Sequence, residues 1–396
     1  MERPHPSINL AYLGGFYPEI GGPFSAAKAL LSKLSAEGVG VIAVSSLPVG
    51  YDQRKIEFVR TLPYKVEYLR EGALKRIFPS YSASWGAKLA ELQDKVDVFH
   101  VNGIFDYFAI LAPFILKKPY VLSVRGSLMT DAFQMNFLKR IKKTAYMRLW
   151  GNRVVQKAAA IHVMCEMERE NFLLFFPDFR GPVKVIPNGL NMEEFLSVAP
   201  SDSFRKRFPA LASKKYVLSL GRLHPIKGLD ILIRAFRDVS RENDWALVLA
   251  GPDTNGYSET LKRLALEFGI ADRVVFTGML TGEDKVSVIK SAEVFVMPSY
   301  SENFGVSAVE AIACGTPTIV SDRVGISREI ARAKAGVVVE LTEEAVAAGI
   351  LSLARDQGLR ELISSNGVAM AKEHYDINSV SRALSRVYCE VAEGRQ

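Results

Sequence analysis

The sequence predicts an α/β protein with parallel sheets, divided into two domains. Three observations lead there. Short apolar runs alternate with stretches of helical period along most of the chain, which is the pattern of successive β-then-α units. Several of those runs end in glycine turns, such as Gly14-Gly15 and Gly221. At 396 residues the chain is longer than one hydrophobic core usually holds.

In the first half, Ile8–Leu13 reads as a buried strand leading into Gly14-Gly15-Phe-Tyr-Pro-Glu-Ile-Gly21-Gly22-Pro23. The helix expected over Ala26–Ala36 turns Ala27, Leu30, Leu31 and Leu34 inward. A glycine turn between first strand and first helix suits phosphate approach, but it is not GxGxxG, and the chain holds no GxxxxGK[ST]. Val39–Ser46, Val96–His100 and Tyr120–Val124 read as further buried strands. Gln134–Lys157 reads as one long helix, Ala160–Met164 as a strand and Glu166–Phe176 as a helix. Pro187 and Gly189 punctuate a turn, and the polar run through Asp202 reads as a hinge.

The second half opens on Tyr216-Val-Leu-Ser-Leu-Gly221-Arg222-Leu-His-Pro-Ile-Lys227-Gly228 and a helix from Leu229 to Arg241. Arg222 and Lys227 lie on the loop after a buried strand, where two cations can neutralise a departing diphosphate. Ala246–Ala250 and Val274–Thr277 are strands, and Met279 and Leu280 follow the second. Ala292–Met297 and Thr318–Ser321 flank Pro298-Ser-Tyr-Ser-Glu-Asn-Phe-Gly-Val-Ser-Ala-Val-Glu-Ala-Ile-Ala-Cys-Gly, which holds a short helix ending at Gly315. Glu302, Asn303 and Gly305 thus sit where a strand ends and a helix begins, the place where open α/β sheets bind ligands. A helix N-terminus offers unpaired N–H groups, and Gly305 lets a phosphate approach with no Cβ in the way. Glu310 lies a little over one turn in, within reach of a ribose, and Glu302 faces whatever lies beyond the phosphates. The pair suggests a nucleotide carrying a hydroxyl-rich group. An amphipathic helix over Ser379–Glu393 closes the chain.

Glu302-x7-Glu310, with Phe304-Gly305 inside it and Ala-Ile-Ala-Cys-Gly-Thr-Pro-Thr-Ile-Val-Ser-Asp322 after it, closely resembles the signature of the family 4 retaining glycosyltransferases of bacterial surface-polysaccharide type. Val183-Lys-Val-Ile-Pro-Asn-Gly189 and the Arg222/Lys227 loop match the same family. The resemblance implies the GT-B fold, two Rossmann-like domains with parallel sheets facing across a cleft. The boundaries it implies are 1–195 for an acceptor-side domain, 196–376 for a nucleotide-sugar domain and 377–396 for a helix returning to the first. It further implies a nucleotide-diphosphate sugar as donor and a glycan or lipid-linked glycan as acceptor, with anomeric configuration retained, in surface polysaccharide or lipopolysaccharide synthesis. Arg222, Lys227 and Glu302 are its catalytic set. Gly21, Gly22, Met279, Leu280, Asn303, Phe304, Gly305, Val306 and Glu310 join them in donor binding. Where the family commonly has a histidine near the reacting sugar, this chain has Arg125. Arginine does not shuttle protons at ordinary pH, so Arg125 reads as a clamp on the acceptor or phosphate side. His100 is the other candidate there, weighed against a satisfied strand histidine.

No Asp-x-Asp occurs, which removes the usual carboxylate clamp for a metal-bound diphosphate, so metal-independent transfer with no cofactor is expected. Cys165, Cys314 and Cys389 have no CxxC spacing, which argues for a reducing cytosol and against zinc. A secretory signal is not expected, and the longest apolar run, Tyr107–Leu116, is too short to span a bilayer. The net charge of +7 lies wholly in residues 1–200, which hold 25 Lys/Arg against 18 Asp/Glu. Lys117–Lys157 carries ten basic residues and one acid, Asp131. With Phe137, Tyr146 and Trp150 interleaved, residues 134–157 suit peripheral contact with anionic lipid on the inner face of the membrane, against the alternative of a solvated basic face. No nucleic-acid module accompanies the charge. The competing functions are a GT-B-fold epimerase or phosphorylase, a nicotinamide-dependent Rossmann oxidoreductase, and a catalytically dead binding protein.

Overall fold

The structure, a computed structural model, describes residues 8–129, 137–199, 203–211, 214–253 and 255–394. It divides into two compact units, one of residues up to Leu190 with Ile377 onward, the other of Asn191–Asp376. The division falls ahead of the expected position at 195. Helix Met192–Ser197 buries Met192 and Phe195, and Lys285 of the second unit lies over the Phe195 ring.

The first unit is built on seven parallel strands: β1 (Asn9–Leu13), β2 (Gly40–Leu47), β3 (Lys65–Arg70), β4 (Val98–Asn102), β5 (Tyr120–Ser123), β6 (Ala160–Val163) and β7 (Val183–Val185). Their order is β3-β2-β1-β4-β5-β6-β7. Side chains alternate across the sheet, as the two-residue period requires. Leu10 and Tyr12 enter one core with Leu31 and Tyr388, whereas Ala11 and Leu13 enter the other with Trp85, Phe99 and Phe108. Both faces are covered, so the strands read as continuous apolar runs.

Helix Ile377–Ala392 belongs to this unit. Its apolar stripe of Val380, Leu384, Val387, Tyr388 and Val391 joins the core that also takes Leu30, Leu31 and Leu34 from helix Gly22–Ala36. Ser381 Oγ donates to Glu37 Oε2 at 2.9 Å, and Ile377 N donates to the Leu190 carbonyl at 2.9 Å.

The second unit holds six parallel strands: β8 (Tyr216–Leu220), β9 (Ala246–Ala250), β10 (Val274–Gly278), β11 (Val294–Met297), β12 (Thr318–Ser321) and β13 (Val337–Val339). Their order is β10-β9-β8-β11-β12-β13. Helix Leu229–Glu242 seals one face with Leu232, Ile233, Phe236 and Val239 against Val217, Leu247, Val294 and Ile319. In each unit the strand order reverses direction once, between β1 and β4 in the first and between β8 and β11 in the second. Such a reversal opens a crevice at the carboxyl ends of the strands.

The long helix expected over 134–157 is described from Phe137. It runs as α-helix to Tyr146, as a π-helical turn over Met147–Gly151, and as α-helix again to Gln156.

Candidate active site

Arg222 and Lys227 follow β8, and Glu302 to Gly305 follow β11, so the two predicted loops meet at the switch point of the second sheet. Glycine makes the approach possible. Gly228 has φ +65°, and a Cβ there would lie 1.8 Å from the Pro298 carbonyl oxygen. Tyr300 N donates to the Ile226 carbonyl at 2.8 Å, tying the loops together. The result is a direct ion pair between Lys227 Nζ and Glu302 Oε2, both only partly exposed. Arg222 stands exposed and forms no ion pair among the described residues. A small pocket is lined by Gly221, Arg222, Lys227, Met297 and Ser299.

Gly305 caps helix Val306–Ala313 with φ +93°, and its carbonyl accepts from Ala308 N and Val309 N. A Cβ there would press on Val324 at 3.0 Å. The Glu302 segment is held in place by Gly325 N donating to its carbonyl at 2.8 Å. Glu310 is almost wholly buried, and Lys285 Nζ donates to its Oε1 at 2.7 Å. Burial pushes the Glu310 carboxyl above its ordinary value, while Lys285 opposes the rise. His224 sits between the two cations in sequence. Burial, Arg222 and Lys227 together lower its pKa, and its Nδ1 accepts from Ile226 N. Positive charge is therefore concentrated on Arg222 and Lys227.

The remaining donor-side candidates divide. Val306 opens the helix, and the Asn303 amide atoms are shielded from solvent. Phe304 is buried edge-on against Tyr375, with ring centroids 5.7 Å apart, so its ring is taken up in packing. After the edge strand β10, Met279 is exposed and Leu280 is buried. In the first unit Gly21 has φ +69° and Gly22 starts a helix, both with open space where a Cβ would stand.

His100 does not reach the crevice. It lies inside β4 with no exposed surface, its Nδ1 against the Tyr388 hydroxyl and its Nε2 against Ser123 Oγ, each at 2.7 Å. Ser123 Oγ also meets His162 Nδ1 at 2.6 Å. Burial first, then neighbouring charge, holds both imidazoles neutral, His162 at about 3. The His100 ring is spent on holding helix Ile377–Ala392 to the sheet. Arg125, by contrast, is partly open at the end of β5.

Lys285 and Glu168 carry no mark in the sequence. Lys285 stands 25 positions before its partner, and Glu168 accepts from Gly126 N, 42 positions away. Neither pairing leaves a local signal. Lys285→Met is expected to cost about 3 kcal/mol by leaving a buried carboxylate unpaired. Losing the cation raises the folded-state pKa of Glu310 further, so the folded form holds a proton that the unfolded chain releases. The variant's stability should therefore fall as pH rises from the unfolded carboxylate range upward, as urea unfolding at several pH values would report.

Two switch-point crevices in a pair of parallel-sheet units, one lined by an Arg/Lys loop and a glycine-capped helix, define a GT-B type of protein. Comparison with known proteins gives the family. The profile described as glycosyl transferases group 1 matches residues 201–370, and that of glycosyltransferase family 4 matches residues 20–194. The chain belongs to these glycosyltransferases. It is 29% identical over 307 residues to an uncharacterised glycosyltransferase of Methanocaldococcus jannaschii, covering 74% of this chain and 75% of that one. It is 34% identical over 190 residues to the D-inositol 3-phosphate glycosyltransferase of Mycolicibacterium smegmatis. That match takes in 48% of this chain and only 43% of the relative's length. Among solved structures, Anabaena HepE in complex with UDP and glucose superposes with a TM-score of 0.77 at 19% identity, over 97% of this chain and 100% of that one. Sucrose-phosphate synthase from Thermosynechococcus elongatus gives 0.75 at 19% identity, over 98% and 100%. Those likenesses show the fold.

Proposed function

We propose that the protein transfers a sugar, with retention, from a nucleotide-diphosphate sugar to a glycan or lipid-linked glycan acceptor in surface polysaccharide synthesis. The observation that carries the reading is the Arg222/Lys227 loop brought against Glu302 and the helix N-terminus at Gly305. Two cations and a row of backbone N–H groups stabilise the diphosphate charge that develops as the sugar leaves, at fixed positions and with little reorganisation. Lys227 and Glu302 pair with each other. When the donor enters, the diphosphate takes Lys227, and Glu302 is released to accept from sugar hydroxyls. Glu310, held by Lys285, accepts from the ribose. No Asp-x-Asp is needed, and transfer proceeds without a metal. A structural neighbour solved with UDP and glucose, and relatives named for inositol phosphate, support a nucleotide-sugar donor and a hydroxyl-rich acceptor.

Incubation with UDP-, GDP- and ADP-sugars in the presence of EDTA, with NMR of the product's anomeric proton, tests this. A glycosylated acceptor of unchanged configuration is expected. An isomerised or phosphorolysed sugar would point to an epimerase or phosphorylase instead. Glu310→Ala is expected to weaken UDP binding about tenfold by calorimetry, the effect of one lost charge-assisted hydrogen-bond pair. An unchanged dissociation constant would remove the ribose role.

The acceptor's lipid carrier would bring the enzyme to a membrane surface. Between Phe137 and Gln156 there is no acidic residue. Ile141 and Leu149 are 50% and 65% exposed beside Lys142 and Arg148. Arg153 stacks at 4.4 Å on Phe114, itself exposed. Among the described residues no helix is long and apolar enough to cross a membrane, so contact would be peripheral. Flotation with phosphatidylglycerol vesicles should carry the protein, and the double variant Ile141→Glu, Leu149→Glu should stay behind. Equal recovery of the two would end the membrane reading.

A further inference from the structure

Arg125 is the residue whose environment is least explained by stability alone. Its φ is +50°, a left-handed backbone that side-chain-bearing residues adopt only when the surroundings enforce it. The enforcement is visible next door, where the buried carboxylate of Glu168 accepts from Gly126 N and, at 2.7 Å, from Met164 N. The guanidinium is then gripped from three sides. Nε donates to Asn102 Oδ1 at 2.6 Å, and Nη1 donates to Asn188 Oδ1 at 2.9 Å and to Met164 Sδ at 3.0 Å. Every one of those acceptors is neutral. Among the described residues no carboxylate pairs with Arg125, although partly buried arginines are ordinarily paired.

The polarity of the cluster is one-sided. Arginine has no acceptor, so both asparagines must turn their oxygens toward it, and that fixes their amide orientation. Their Nδ2 groups are left without partners among the described residues. All three residues are partly exposed, so these donors are open to a ligand. Gly14 lines the same place. A Cβ there would stand 3.0 Å from Asn102 Nδ2 and 3.2 Å from the Tyr12 ring, so glycine keeps the ground in front of the amide clear. The Tyr12 hydroxyl is buried close enough to feel the guanidinium charge, and it has no hydrogen-bond partner among the described residues. Behind the cluster the imidazoles of His100 and His162 are neutral, and they neither compensate nor add to the charge. A guanidinium held by neutral acceptors beside unused amide donors is complementary to an oxyanion.

We infer that Arg125, Asn102 and Asn188 form an anion site in the first unit that takes a phosphate group of the acceptor. This deepens the proposed function and rests on it for the word acceptor, but the binding chemistry can be measured without any transfer. Arg125 would be a binding residue that selects phosphorylated acceptors over neutral ones, and Glu168 the residue that positions it.

Inorganic phosphate is the probe, titrated calorimetrically into the full-length chain. Saturating UDP, or an Arg222→Ala, Lys227→Ala background, keeps the second unit from contributing. Saturable binding is expected, weakened at least tenfold by Arg125→Met, with about a tenfold loss corresponding to one charge-assisted contact. UDP affinity should be unchanged by Arg125→Met. Should the Met variant fail to fold, Arg125→Lys keeps the charge but not the planar fork, and it should fold and bind phosphate more weakly than the parent. No saturable binding to the parent chain, or phosphate affinity indifferent to Arg125, would overturn the inference. Folding failure of both variants would make Arg125 a structural tie and overturn it equally. A loss of UDP affinity in Arg125→Met would assign the site to the donor and overturn the acceptor role. If UDP does not bind at all while Arg125-dependent phosphate binding persists, the transferase reading fails and the anion site stands.

Discussion

Replacing Lys227 with alanine is expected to lower kcat at least about tenfold, since losing one charge-assisted contact to the leaving group raises the barrier by about 1.4 kcal/mol. Two effects combine. The diphosphate loses a cation that the Gly228 turn holds at the end of β8, and Glu302 loses the partner that holds its carboxylate in place. The second effect distinguishes this residue from Arg222, which is exposed and makes no ion pair among the described residues, and so should affect turnover with little change in unfolding. Lys227→Met separates the contributions further, because it preserves the aliphatic stem and removes only the charge. Steady-state kinetics with saturating donor read kcat, and UDP calorimetry reads ground-state affinity. A fall in kcat that exceeds the loss of UDP affinity identifies a contact strengthened in the transition state. Turnover equal to that of the parent would show that the cation serves only to neutralise Glu302.

The parts of the fold that could be read from the sequence are those whose physics is local. Central strands buried on both faces, such as β4, β8 and β11, are short apolar runs with little ambiguity, and Gly305 and Gly315 bracket their helix in the sequence as in space. Edge strand β3 carries no such signal. Its residues Lys65–Arg70 are mostly half-buried, and three of the six are charged, as an outer strand with one neighbour tends to be. The three-residue β7 and β13 are too short to show a period. The π turn at Met147–Gly151 breaks a helical pattern that looks continuous in sequence. At the site, the Glu302/Lys227 loops could be named from their glycine and charge pattern. That the two carboxylates would each be held by a lysine, Glu302 by Lys227 and Glu310 by Lys285, depends on strand order. Of the two readings of His100, the structure shows the satisfied strand histidine. A histidine beside a strand end looks available until a helix from the far end of the chain supplies Tyr388 to its ring.

Gly228→Ala should be among the most destabilising small substitutions in the second unit. The position demands φ +65°, which costs an alanine about 1 kcal/mol. The added methyl would also lie 1.8 Å from the Pro298 carbonyl oxygen, backbone against backbone, with no flexible side chain to give way. Relief requires the β8 loop to lift from the segment after β11, which breaks the Tyr300 to Ile226 hydrogen bond and draws Lys227 away from Glu302. A loss of about 3 kcal/mol follows from conformational strain and overpacking together. Gly256→Ala is the matched control. It has φ +72° with nothing within 4 Å of where the methyl would stand, so only the conformational part applies, about 1 kcal/mol. Urea midpoints for the two variants measure the difference directly. Because lifting the loop separates the two halves of the proposed leaving-group site, Gly228→Ala should weaken UDP binding as well, which Gly256→Ala should not. Equal midpoints would mean that the loop yields without cost. A midpoint shift with intact UDP affinity would mean that the cations do not depend on this turn for their placement.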